Sequence, residues 1–184
     1  MATAVDGGRN SDAVGLACDI TKKEEVVKLK ELALKLGDFG GLVHTAGVSG
    51  SGQDPEKVFM IDLVGTEILV DAFYEIAKDG SALILFSSIM GHTVPPNPDY
   101  DDALRHPQHQ NSLETVASFV NGDSDMMYNF AKRGVHLLCQ DNAFRFGQNG
   151  ARIVSISPGV IMTPMGIKAA EEHPERMEMI KQAT

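Results

Sequence analysis

The chain has no run of Lys or Arg longer than two residues, and its formal net charge is −9. It therefore lacks the basic stripe that nucleic acid or an anionic membrane requires, and both are excluded as partners. No apolar stretch approaches the length of a spanning helix, and MATAVDGGRNSD lacks the basic-then-apolar layout of a secretory signal. The expected location is the cytoplasm. Cysteine is scarce: Cys18 and Cys139 fit no metal spacing and give no disulfide framework, so both read as core thiols. Internal repeats are also missing.

What is present suits one soluble domain over residues 1–184, because 43% hydrophobic content in a chain of this length can fill a core. Short apolar runs alternate with segments of helical period, the pattern of strands joined by crossover helices in a parallel sheet. Strands are expected at 13–18, 42–47, 82–87 and 152–157. Thr21 and Glu24 read as a capping box opening a helix that runs to Leu36. Asp54 and Pro55 start a second helix, carried by Val58, Ile61, Leu69 and Phe73 until AKDG stops it. A third spans Asp125 to Phe146. The run ALILFS shows no polar alternation, as expected of a strand covered by helices on both faces.

Residues 89–124 are rich in Pro, Asn, Asp and His, and within them only LETVASFV is apolar enough to suggest a short helix. The segment reads as an insertion, either lid-like over a site or a disordered surface excursion. Its histidines, His92, His106 and His109, fit no metal spacing and read as solvated loop residues; no metal is expected.

Tyr128 and Lys132, in YNFAK, stand four apart and so share one helix face. An isolated phenol keeps its proton until about pH 10, but a neighbouring ammonium favours the phenolate and makes acid/base work accessible. YEIAK repeats the pattern with Tyr74 and Lys78, and position separates the two. Ligands of parallel α/β sheets sit beyond the carboxyl ends of the strands, near helix N-termini. Tyr74 lies on the order of 28 Å down its helix and is structural, whereas Tyr128 begins its own. Ser88 closes a strand at the same edge. HTAG and ISPGVIMT end two others, with small residues that admit a ligand close to the backbone.

HTAG, FSSIMG, YNFAK and SPGVIMT, in this order, resemble the four signature segments of the short-chain dehydrogenase/reductase family over Gly15 to Thr163. The resemblance implies an α/β, Rossmann-like doubly wound parallel sheet. It also implies an enzyme that uses NAD or NADP to move a hydride between the nicotinamide and a secondary alcohol or ketone. Ser88 would orient the substrate oxygen, Tyr128 transfer the proton, and Lys132 tune the tyrosine and hold ribose. Asp19, with Ile20, would meet the adenine, Thr45, Ala46 and Gly47 the adenosine, and Pro158, Gly159, Ile161 and Thr163 the nicotinamide side.

Three departures stand out. The family's helix asparagine is Asp62 here, a carboxylate that, if close to Lys132, would raise its pKa and offset part of its effect on Tyr128; a proton-relay and a structural role both remain open for it. Ser88 and Tyr128 are 40 positions apart, which resembles a carbonyl reductase and hydroxysteroid dehydrogenase subgroup with an insertion there. That insertion would overhang the substrate site and obstruct the helix pairing by which many relatives dimerise, leaving homo-oligomerisation open. No TGxxxGxG phosphate loop precedes the first strand, and GVSGSG at 47–52 fails the spacing of one. Aligned to the family, the chain lacks the first two strands and the last, leaving two vacant places between 13–18 and 42–47. A fragment or mis-started gene is the expected explanation. The alternative functions are a catalytically silent fragment that binds a partner or oligomerises, and a nucleotide sensor. Neither the choice between NAD and NADP nor the substrate is written in these residues.

Overall fold

A computed structural model describes residues 14–161 and 163, the backbone of Ala2–Ala4, and the isolated positions 167, 171, 175 and 178. Ala13, where the first strand was expected to begin, and Met162 of SPGVIMT lie outside the described residues.

Three parallel strands, β3 (Gly41–His44), β4 (Ala82–Phe86) and β5 (Arg152–Ile156), form a sheet of order β3-β4-β5 with Leu42 beside Leu83 and Ile84 beside Val154. Helices flank it: α2 (Pro55–Phe59) and α3 (Gly65–Tyr74), joined by a π-helical stretch at Met60–Val64, and the long α6 (Ser124–Gln148). This is the Rossmann-like α/β arrangement. Strand positions alternate between two faces. His44, Leu83, Leu85 and Ile153 point to the helices and are buried, each leucine contributing about 2 kcal/mol. On the opposite face Val43, Val154 and Ile156 stay 59%, 43% and 45% exposed. The expectation that β4 is covered on both faces is therefore corrected: among the described residues its neighbours carry apolar side chains on a face that no helix covers.

The first strand, β2 (Leu16–Cys18), does not pair with β3. It pairs antiparallel with a strand that composition gave no sign of, β1 (Ala2–Ala4). The two sheets thus leave a cleft of about 300 Å³ between β2 and β3, where two vacant strand places were expected. The helix after β2, α1 (Lys23–Leu36), packs on α3. Its start differs from the expected capping box. Asp19 Oδ1 accepts from the Thr21 N–H at 3.1 Å, while Glu25, not Glu24, accepts from the Asp19 N–H at 2.6 Å. These bonds tie down the turn ahead of the helix, whose own N-cap position, Lys22, makes no side-chain capping bond.

Residues 89–124 fold against α6. A 3-10 turn (Ile89–Thr93) leads into α4 (Pro98–Arg105), and α5 (Ser112–Val120) follows, where one helix alone was expected. Asn97 caps α4 by accepting from the Asp99 N–H, Pro98 takes the first position, and Tyr100, Ala103 and Leu104 form the buried stripe. Arg133 of α6 fixes the segment through two bonds to Asp101, at 2.8 and 2.6 Å, and one to the Val94 carbonyl.

Candidate active site

Helix α6 opens at the carboxyl end of the sheet. Asp123 caps it, its carboxylate accepting from the Asp125 and Met126 N–H groups at 2.9 and 3.0 Å, and Tyr128 lies just over one turn inside. Lys132 follows one turn later, its ammonium 5.3 Å from the centre of the Tyr128 ring. That ammonium is almost wholly enclosed. Its Nζ donates to the Phe86 carbonyl at 3.3 Å and sits 3.2 Å from Asp62 Oδ2, the two side chains being 9% and 0% exposed.

Asp62 is delivered by the π-helical stretch, in which the Gly65 N–H reaches back five residues to the Met60 carbonyl. Its other oxygen accepts from the Val48 N–H at 2.8 Å, so the carboxylate bridges the loop after β3 to α6. Burial pushes the Asp62 carboxyl above the usual carboxylate range, opposed by the Lys132 ammonium and the Val48 N–H. Gly47 belongs to the same contact: a Cβ there would lie 3.2 Å from Asp62 Oδ1 and 3.5 Å from Lys132 Nζ.

His44 is a residue that sequence reasoning passed over except as part of HTAG. It is buried, and its Nε2 lies 2.9 Å from Thr66 Oγ1. Thr66 gives its own hydroxyl proton to the Asp62 carbonyl at 2.8 Å, so the imidazole must be the donor, in the Nε2–H form. Burial, aided by the nearby Lys132 ammonium, holds His44 down at about 4, so it supports the Asp62 turn as a neutral ring. A polar residue inside an otherwise apolar strand was the available signal.

Ser88 follows β4 at the same edge. Its Oγ accepts from the Met90 N–H at 3.2 Å, capping the 3-10 turn, and its proton is left to donate. Its neighbour Ser87 donates to the Lys132 carbonyl at 2.7 Å and ties this edge to the α6 turn that bears Lys132. Gly91 permits the approach, since a Cβ there would stand 2.7 Å from the Lys132 carbonyl carbon. Pro158 accepts from the Ile89 N–H at 3.0 Å, which places the start of the SPGVIMT loop beside Ser88; Gly159 and Ile161 are exposed there, and the Thr163 N–H bonds the Ile161 carbonyl.

The remaining expected ligand residues gather around the β2–β3 cleft. Thr45, Ala46 and Gly47 line it just past the end of β3, which closes at His44 rather than 47. Ile20 lines it too, although its side chain is packed on Gly65. Asp19 has one carboxylate oxygen engaged by the Thr21 N–H and hydroxyl, which hold its carboxyl below the usual range. GVSGSG folds onto the start of α6, Gly50 against the Asp125 backbone, while the helix after it is capped by the carboxylate of Asp54. Tyr74 closes α3 with Arg145 over its ring at 4.4 Å and Phe146 at its edge, far from this group.

Among the described residues no helix is long and apolar enough to cross a membrane, and no cluster of three or more metal-ligating side chains occurs.

Known proteins share this framework. A family profile described as enoyl-(acyl carrier protein) reductase matches residues 102–184. A short-chain dehydrogenase/reductase, bsc3, of Alternaria brassicicola is 29% identical over 156 residues, 80% of this chain and 55% of the relative. The short-chain dehydrogenase srdC of Neurospora crassa is 28% identical over 184 residues, covering 93% and 62%. The chain thus spans little more than half the length of these curated relatives. Among solved structures, the 3-alpha-hydroxysteroid dehydrogenase of Pseudomonas sp. B-0831 complexed with NADH superposes with a TM-score of 0.71 at 20% identity, covering 91% of this chain and 66% of that one. A short chain dehydrogenase from Burkholderia cenocepacia J2315 in complex with NADP gives 0.61 at 18%, covering 83% and 56%. Shared sequence, shared fold and the four signature segments in order point one way: the chain is similar to short-chain dehydrogenases/reductases.

Proposed function

We propose that the chain forms the proton-handling half of an NAD(P)-dependent oxidoreductase acting on a secondary alcohol or its ketone. The observation that carries this reading is the Lys132 ammonium held 5.3 Å from the Tyr128 ring at the carboxyl edge of a parallel sheet. When bound, the nicotinamide gives or takes the hydride. The chain's own residues do the rest. The Tyr128 hydroxyl gives or receives the proton on the substrate oxygen, and the free Ser88 proton orients that oxygen. Lys132 keeps a positive charge beside the developing phenolate, and Asp62 fixes that charge in place.

The residues present fit a dinucleotide. Ile20 and Thr45–Gly47 border a cleft of about 300 Å³ with small residues that allow close approach, suited to the adenosine; Asp19 stands at its edge, and Pro158–Thr163 flank the Ser88 edge, suited to the nicotinamide. In this reading the 184 residues act as one Rossmann-like unit, and residues 89–124 wall the substrate side. Two unpaired thiols, Cys18 and Cys139, suit the cytoplasm.

The test is Tyr128→Phe in the protein carrying this chain, assayed for NAD(P)H oxidation over a panel of carbonyl compounds. Turnover should fall by at least about 100-fold with cofactor binding retained. Unchanged turnover eliminates the mechanism, and cofactor binding without turnover in the unaltered protein supports nucleotide sensing instead.

A further inference from the structure

Away from Tyr128 and Lys132, three polar side chains converge at the end of β5. His92 Nε2 lies 3.2 Å and His136 Nε2 2.9 Å from the same atom, Ser157 Oγ. The two rings face each other with centroids 4.2 Å apart, tilted by 35°. His92 is exposed, as expected of a solvated residue, and its ring nonetheless has a partner. The three residues come from three elements. His92 lies in the 3-10 turn that Ser88 caps, His136 stands one helical turn beyond Lys132 on α6, and Ser157 precedes Pro158, whose carbonyl anchors Ile89.

Proton counting restricts what this arrangement can be. A hydroxyl has one proton to donate. With two imidazole nitrogens in reach, the arrangement that uses this proton within the cluster has one ring accepting it and the other donating its own Nε2–H, two rings of opposite tautomer. Protonating the accepting ring takes away the acceptor of the Ser157 proton and places a cation 4.2 Å from the facing ring. The surrounding charges do not compensate. Arg133, on the same α6 face, adds positive charge, and its partner Asp101 of α4 is engaged in the two-bond pair; on β5 the neighbouring side chain is neutral Ser155, bonded to Cys139.

We propose that His92, His136 and Ser157 form a proton-sharing clasp that positions the Ser88 turn against the Pro158 loop, closed while both imidazoles are neutral and released in acid. Burial first, then His92 and Arg133, hold His136 down at about 4. The sign follows: the unfolded ring takes its proton near 6.5, so the clasp is fully present above that pH and is lost as pH falls toward about 4. For turnover the consequence rests on the oxidoreductase reading, with His92 and His136 acting as positioning residues through Ser88 and the Pro158 loop.

The test reads imidazole and amide signals, so its outcome is separable from that of the Tyr128→Phe assay. In nitrogen-15 spectra of the chain at pH 7, one of the two rings should carry its proton on Nε2 and the other on Nδ1, and His136 should stay neutral to below pH 5. Ser157→Ala should raise hydrogen exchange of the amides at 88–92 and 157–161 by roughly tenfold at neutral pH, after correction for intrinsic exchange. Ser157→Thr, which restores the hydroxyl, should return it. The proposal is overturned if both rings show the same tautomer, if His136 titrates at its ordinary value, or if exchange is indifferent to Ser157→Ala.

Discussion

The ion pair of Lys132 and Asp62 should behave as a unit in folding. At 3.2 Å, two unit charges attract by roughly 5 kcal/mol at an effective dielectric constant of about 20. Desolvation opposes this attraction, the same cost that lifts the Asp62 carboxyl above its ordinary range. The intact pair is therefore close to neutral against uncharged substitutes, while either charge left alone is expensive. Asp62→Asn offers one carbonyl oxygen where the carboxylate had two, so either the Val48 N–H or the ammonium loses its acceptor. The expected cost is about 3 kcal/mol, at the lower end for a broken buried pair, and about the same for Lys132→Met. Combined, the two should cost no more than about 1 kcal/mol rather than the sum, because no buried charge is then left unpaired. Urea unfolding of the four members of this cycle at pH 7, compared by midpoint at constant slope, measures the coupling. Losses that add to within about 0.5 kcal/mol would refute the reasoning. A second signature is the pH dependence. The folded carboxyl keeps its proton above the ordinary value of 3.8, so wild-type stability falls as pH rises through the folded pKa, and Asp62→Asn removes that fall.

His44 predicts the opposite slope: its ring is neutral in the fold down to about 4 but charged in the unfolded chain below 6.5, so stability should drop by up to about 3 kcal/mol across that window as pH falls. His44→Asn should flatten this slope in thermal unfolding measured from pH 4 to 7; an unchanged slope would discount the buried neutral ring. Gly91→Ala would put a methyl group 2.7 Å from the Lys132 backbone and should cost about 1–3 kcal/mol by urea midpoint. Asp123→Ala removes two N-cap bonds from α6 and should cost about 1 kcal/mol, read as a lowered melting temperature.

Legibility in the sequence followed the range of the interactions. Helix α6 was readable to within two residues at each end, because its N-cap and helical pattern are local. The core strands β4 and β5 were equally plain as apolar runs bounded by Gly and Ser. Helix α4 was missed because its signature, Asn-Pro-Asp, is also a turn signature, and the burial of Tyr100, Ala103 and Leu104 that decides between them comes from α6. Strand β1 could not be foreseen: three small residues carry no period, and their pairing depends on β2 having no partner in the main sheet. Within the site, the pairing of Tyr128 with Lys132 is a matter of helical spacing and was visible. The closure of Asp62 on Lys132 needed a change in helical winding, and the meeting of His92, His136 and Ser157 needed three distant segments to converge; neither leaves a mark on spacing.

That change in winding makes the helix a register device. A single surplus residue within Met60–Val64 turns everything before it by about 100° relative to everything after. Val58 and Phe59 on one side, and Leu69 and Phe73 on the other, are all buried with this offset in place. Deleting one residue there would restore a regular spiral and turn one half of the helix by about 100° against its present packing, so the length of this five-residue stretch is constrained along with the carboxylate it carries.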